Sequence, residues 1–261
     1  MSSLRPLLGR TLVLVAHPDD EAVGCGALLQ RIEHPIVVFA TDGAPRSDFF
    51  WHNSGSREEY ALVRAEEAKR ALKSVGVKRF NLLCVTNPVV DQELYTELDR
   101  AYQSLVQLIA VERPDTILTM SYEGGHPDHD ACSLLAAQAG GYFGVPVWEM
   151  PLYHRTVADI SRQCFLDGDE GLELEISREE LVRKMNMFAA YDSQSEVLRD
   201  FLPYIERFRP MKSYDFSQPP HSGKLNYETW NWSMKGSDLC QVFSRFVQNR
   251  QAKKYEWGTA A

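Results

Sequence analysis

His17 and Asp20 stand three residues apart in Ala16-His17-Pro18-Asp19-Asp20-Glu21. His126 and His129 stand three apart in Gly124-Gly125-His126-Pro127-Asp128-His129. Each string follows an apolar, strand-like run and leads into a helix-like segment. Imidazole nitrogens and carboxylate oxygens in this combination are the ligand set of a catalytic zinc site. Such a site takes three ligands from protein and one from water. His17, Asp20 and His129 supply a His-Asp-His set, which leaves Asp19 and His126 beside the ion. Zinc lowers the pKa of a bound water from about 16 to about 7. Asp19 is then the candidate general base, and His126 the candidate stabiliser of the oxyanion at an attacked carbonyl. Asp128 is placed to pair with the His126 imidazole, orient it and raise its pKa. Iron(II) or another divalent ion fits the same ligands. Either string alone is a weak motif; the two together, both at strand ends, are specific.

These side chains need a frame that brings residue 17 to residue 129. Short apolar runs at 12–16, 36–40, 80–85, 116–120 and 145–153 read as strands. Helical spacing fills 21–32, 56–75, 95–111 and 130–140. Ser56 and Glu59 form a capping box, Gly76 stops that helix, and Pro114 lies beyond the third. Strand alternating with helix predicts a parallel sheet with helices on both faces. In such a sheet ligands bind beyond the carboxyl ends of the strands, where strand order reverses. In a Rossmann-like order the first and fourth strands are neighbours there, and the two strings share one crevice. The beat breaks after Tyr153. Residues 163–166 and 172–176 flank Asp167-Gly168-Asp169-Glu170-Gly171 and are predicted to pair as a hairpin. A helix over 178–190 and a Pro- and aromatic-rich tail follow. The predicted fold class is α/β: a Rossmann-like three-layer sandwich, mostly parallel, with a C-terminal hairpin and helix extension.

The chain has 261 residues, 44% hydrophobic and 25% charged, the composition of a globular protein. We expect a single domain over 1–261, with its core at about 11–194 and an extension over 195–261. A net charge of −8 argues against nucleic acid or an anionic membrane as the main partner. Five scattered cysteines (25, 84, 132, 164, 240) without a C-x-x-C pair read as free thiols in a reducing compartment. The first ten residues lack a long apolar stretch, so no signal peptide is expected, and no run approaches a membrane span. A cytoplasmic location follows as the expectation. A symmetric homo-oligomer is the base-rate assembly. Phe49, Phe50 and Trp51 in the 44–55 loop suggest a lid or contact surface, or else tuck into the core. His34 and His221 read as surface or structural residues, and His52 and His154 as secondary site candidates. Tyr227, Trp230 and Trp232 in the tail are expected to close the core more than to line a pocket.

The strings at 16–21 and 125–129 resemble the LmbE-like, or PIG-L, zinc-dependent N-acetylglucosaminyl deacetylases. Arg64-Ala65-Glu66-Glu67 before Val75-Gly76-Val77 is similar to the family's second helix. Asp91-Gln92-Glu93-Leu94 resembles an Asp-Gly-x-Leu element, with Gln92 where the family has Gly. Tyr191-Asp192-Ser193-Gln194 resembles its Tyr/His-x-Ser-Gln element. The resemblance spans roughly 11–194. It implies a zinc ion on His17, Asp20 and His129, Asp19 as base and His126 as electrostatic stabiliser. It also implies Arg64 and Asp91 as contacts to sugar hydroxyls. The implied reaction removes an N-acyl group, acetyl foremost, from a GlcNAc-like amino sugar or glycoconjugate, a small-molecule substrate. Three other readings stay open: amide cleavage in a thiol conjugate of an amino sugar, a phosphoesterase with Asp19 and Asp20 bridging two metals, and a sugar-binding module without turnover. A nucleotide-binding turn is excluded, because the carboxylates of His-Pro-Asp-Asp-Glu would repel a pyrophosphate.

Overall fold

The computed structural model describes residues 3–52, 54–230, 232 and 234–258. β1 (Arg10–Val15) is buried along both faces, as expected for a Leu/Val run in the middle of a parallel sheet. α1 (Asp20–Cys25) follows directly, then β2 (His34–Phe39), α2 (Arg57–Ser74), β3 (Arg79–Leu82), α3 (Leu98–Glu112), β4 (Thr116–Met120), α4 (Pro127–Phe143) and β5 (Val147–Met150). β1 to β5 form the parallel part of a seven-stranded sheet in the order β3-β2-β1-β4-β5. The order reverses between β1 and β4, so the segments leaving their carboxyl ends share one crevice.

The remainder departs from the predicted pattern. β6 (Tyr153–Arg155) and β7 (Ile160–Arg162) form the one local hairpin among the described residues, a step earlier than expected. The predicted pairing of 163–166 with 172–176 is absent. β8 (Leu172–Glu173) pairs instead with a strand beyond α5 (Arg178–Ala190) and α6 (Ser195–Leu198), namely β9 (Arg207–Pro210), which runs antiparallel to β5. The reason is electrostatic. Asp167 accepts from Arg209 Nη1 (2.8 Å) and Lys212 Nζ (2.6 Å), so the acidic turn is held by the basic end of β9 rather than closing locally. α7 (Gly236–Gly258) is the last described element and presents Leu239, Phe243 and Phe246 to one core that also takes in β1 and α4. Sequence reasoning did not find α7.

The helix expected over 21–32 stops at Cys25. Lys184 of α5 donates to the Val23 carbonyl (3.0 Å). Glu206 accepts from the amides of Ala27 (2.6 Å) and Leu28 (3.0 Å). Lys184 and Glu206 meet at 2.7 Å, both fully buried. This pair ends α1 from outside and ties it to α5. Removing one partner of a buried ion pair strands the other charge. Lys184→Met is therefore expected to cost about 3–5 kcal/mol, read from urea denaturation. Lys184→Met with Glu206→Gln should recover part of that loss.

Candidate active site

His17 lies just past β1, Asp19 precedes α1, and Asp20 opens it. His126 caps α4, and Pro127, which needs no N–H bond, takes its first position. His129 follows in the same first turn. The Gly124-Gly125 step is required: Gly124 sits at φ +73°, and a side chain on Gly125 would collide with the Tyr153 carbonyl. The three imidazoles converge, with ring centroids 4.4 Å (His17–His126), 5.3 Å (His17–His129) and 5.1 Å (His126–His129) apart. One nitrogen from each lies within 4.8 Å of the others.

Asp20 lies between two of them. Its Oδ2 is 3.4 Å from His17 Nδ1 and its Oδ1 is 3.2 Å from His129 Nε2. Ligands about 2.0–2.1 Å from a tetrahedral zinc sit about 3.3 Å from each other, so Asp20 stands at ligand–ligand distance from each of the two imidazoles. Against the push of burial, His129 and His17 hold the Asp20 carboxyl well below its usual range. The far side of His17 is also organised. Its Nε2 meets Asp91 Oδ1 at 3.0 Å and Asp128 Oδ2 at 3.2 Å. Burial opposes a charge on His17, but Asp91, Asp128 and Asp20 together raise its pKa.

Asp128 therefore serves a different imidazole from the one expected. Its carboxylate faces His17 and accepts from the amides of Gln92 (2.6 Å) and Leu94 (3.0 Å). It touches His126 only through its own backbone N–H, which donates to His126 Nδ1 (3.1 Å). Burial, then the neighbouring His17 and His129, push the His126 pKa down rather than up. A neutral His126 accepting at Nδ1 carries its proton on Nε2.

Arg64, expected at a sugar hydroxyl, is 2% exposed, lines the cavity over the histidines and spends its guanidinium on the chain itself. Its guanidinium donates to Asp19 Oδ2 (3.0 Å) and to the Pro18 carbonyl, and lies 3.6 Å from Glu67. Glu67 in turn accepts from Ser193 N (2.8 Å) and Oγ (2.6 Å). Burial pushes Asp19 up to about 6, and Arg64 restrains the rise. Asp19 sits at φ +127°, a conformation that costs an L-residue energy and marks functional sites. Glu21, fully buried, accepts from the Asp19 amide (3.1 Å) and from the Tyr191 hydroxyl (2.6 Å). The network of Glu21, Tyr191, Glu67 and Ser193 was missed as a support for Asp19. Its signals were Glu21 inside the first string, Glu67 in the Arg64-to-Glu67 stretch and the Tyr-x-Ser-Gln element.

Asp91, expected at the sugar, stands beside His17 and lies 3.7 Å from His126 Nε2. Gln92 adopts φ +74°, the glycine-like conformation at the position where the resembled pattern has Gly. Gln92→Gly is expected to stabilise the fold by about 0.5–1 kcal/mol, seen as a higher urea midpoint. His52 is exposed and binds its own loop at the Phe49 carbonyl (3.0 Å). His154 is buried behind the site, its Nδ1 3.5 Å from Glu123. His34 is exposed and His221 half-buried, as expected.

A cavity of about 620 Å³ opens onto the histidines. Phe49 and Phe50 stand at its mouth rather than in the core. Tyr227 does close the core, but Trp230 and Trp232 form a cavity wall; Trp232 packs edge-on against His126 at 5.3 Å. Tyr153 packs on His129 at 5.3 Å.

The mostly parallel α/β sheet places a His/Asp cluster that could hold a metal ion at its switch point, where ligands bind in such folds. Residues 12–140 match the model of the PIG-L family, described as GlcNAc-PI de-N-acetylase. The chain is 32% identical over 146 residues to diacetylchitobiose deacetylase of Thermococcus kodakarensis, an alignment covering 52% of this chain and 51% of that protein. It is 27% identical over 192 residues to a probable N-acetyl-alpha-D-glucosaminyl L-malate deacetylase 2 of Bacillus cereus, covering 72% and 84%. Among solved structures it is similar to the A40926 pseudoaglycone deacetylase (TM-score 0.58, 22% identity, 73% of this chain and 84% of that one), a likeness of fold. No helix among the described residues is long and apolar enough to cross a membrane.

Proposed function

We propose that the protein is a divalent-metal-dependent amidohydrolase that removes an N-acyl group, acetyl foremost, from a GlcNAc-like amino sugar or glycoconjugate. The observation that carries this reading is Asp20 bridging His17 Nδ1 and His129 Nε2 at ligand–ligand distances beside a buried, arginine-held Asp19. His17, Asp20 and His129 would hold the ion, zinc first by donor type, with iron(II) fitting the same set. Such an ion supplies Lewis acidity towards an amide carbonyl and acidifies water.

The chain's own groups do the rest. Asp19 accepts a proton from the attacking water and, once protonated, returns it to the leaving amine. Arg64 fixes the Asp19 carboxylate for both tasks. His126, neutral and with its proton on Nε2, donates to the oxyanion that develops on the amide carbonyl. Asp128 and Asp91 orient His17 through its other nitrogen. The unpaired, mostly buried thiols support a reducing, cytoplasmic setting.

The test is a panel of N-acylated amino sugars and glycoconjugates offered to protein loaded with Zn²⁺ or Fe²⁺, with primary amine and carboxylate both measured. Equimolar release of the two is expected. Cation retained without turnover anywhere in the panel would favour a binding module. Two metals per chain with phosphate-ester cleavage would favour the phosphoesterase.

A further inference from the structure

The turn that carries Asp91 and Gln92 is held from three sides. Asp128 accepts from the amides of Gln92 (2.6 Å) and Leu94 (3.0 Å), Pro45 bridges to Asp91, and Glu93 pairs with Arg46. Within this grip Gln92 takes φ +74°. Glycine adopts that conformation freely, and a residue with a Cβ adopts it at a cost. The turn therefore needs the backbone of residue 92 and not its side chain. The resembled Asp-Gly-x-Leu pattern meets the need with glycine, whereas this chain carries a glutamine. A side chain kept at a strained position beside a site points to a use for it.

Gln92 is half-buried and lines the cavity next to Asp91. Its backbone N–H is spent on Asp128, but among the described residues its carboxamide takes no partner from the chain, and neither of its polar atoms is sealed in the core. Around it the ionised carboxylates of the floor can only accept. A carboxamide both donates and accepts without charge, and the sugar group that matches it is a hydroxyl, which also does both. The position of the turn selects the hydroxyl. Asp91, one residue back, lies 3.7 Å from His126 Nε2, where the acyl carbonyl is received. The free hydroxyl nearest that acyl group is the one on the adjoining ring carbon, C3, because C1 carries the aglycone in a glycoconjugate.

Resting on the amidohydrolase reading for what occupies the floor, we propose that Gln92 is a specificity residue. Its carboxamide binds the free 3-hydroxyl of the N-acylated amino sugar. Its bulk, where glycine would leave room, bars a substituent on that oxygen.

The test titrates the full chain by calorimetry with N-acetylglucosamine and with its 3-deoxy and 3-O-methyl derivatives, and measures amine release from the same three. Both derivatives are expected to bind about fivefold or more weaker than N-acetylglucosamine, the cost of a lost neutral hydrogen bond. Gln92→Gly relaxes the backbone and Gln92→Ala keeps it left-handed. In both, the three ligands should bind within about twofold of one another, since the partner of the hydroxyl is gone. A merely structural Gln92 would move the urea midpoint and leave these ratios alone. No preference among the three ligands in the unsubstituted chain, or a preference that survives both variants, overturns the assignment. A preference in binding without amine release from any of them would leave Gln92 its role and remove the hydrolase reading. Amine release from all three at equal kcat/KM would do the reverse.

Discussion

Asp19→Asn is expected to lower kcat by about 10²–10⁴-fold, the range a positioned general base contributes, while the metal content of the protein stays unchanged. Asparagine keeps the shape of the side chain and an oxygen for Arg64, but it cannot take a proton at neutral pH. In the proposed site His17, Asp20 and His129 would hold the ion, so its loss is not expected. The pH profile gives the same group a second signature. A base must be unprotonated to act, so kcat/KM rises with pH through the pKa of Asp19. Burial places that pKa at about 6, and a cation nearby lowers it, so the acid limb is expected at or below about 6. Arg64→Met removes the positive partner 3.0 Å from the carboxylate. The acid limb should then move to higher pH, a shift that a merely structural arginine would not produce. A fully active Asp19→Asn would remove the residue from the reaction.

The parts of the site that could be read from sequence are those whose partners are near in the chain. His17 with Asp20, and His126 with His129, are three apart, and both strings sit where a short apolar run ends, so their convergence followed from sheet topology. β4 and α5 fall where they were predicted, because apolar bounds mark the first and the Ser177–Glu180 capping box marks the second. What was misread depends on distant partners. Arg64 was expected at a sugar hydroxyl, and its bond to Asp19, 45 positions away, was not foreseen. Asp128 was assigned to the adjacent His126, but its carboxylate partner is 111 positions away. The premature end of α1 is made by Lys184 and Glu206, and the acidic turn at 167–169 is captured by Arg209 and Lys212. α7 left a legible trace in the spacing of Leu239, Phe243 and Phe246, which the aromatic and proline content ahead of it obscured.

His129→Ala should weaken divalent-cation binding by more than about 100-fold, beyond the 10–100-fold that loss of an outer partner costs, and take kcat/KM down with it. His129 stands in the first turn of α4, and its Nε2 faces Asp20 at 3.2 Å. Without it, the donor set shrinks to His17 and Asp20, and two ligands cannot close a tetrahedral site. Two other sets bring one donor atom from each member within 4.8 Å of the rest: His17, His126 and His129, and His17, Asp91, His126 and Asp128. The geometry argues against the second set as the ion's seat. Asp128 is committed to two backbone amides and to the far nitrogen of His17, and His126 Nδ1 is taken by the Asp128 amide. These are the bonds of groups that orient ligands. Asp91→Asn is accordingly expected to cost less than about 100-fold in cation affinity, as an outer partner would. Metal titration of the two variants, with circular dichroism to confirm folding, separates the cases. Equal losses would move the ion to the Asp91 side of His17, and with it the choice of which carboxylate can act as base.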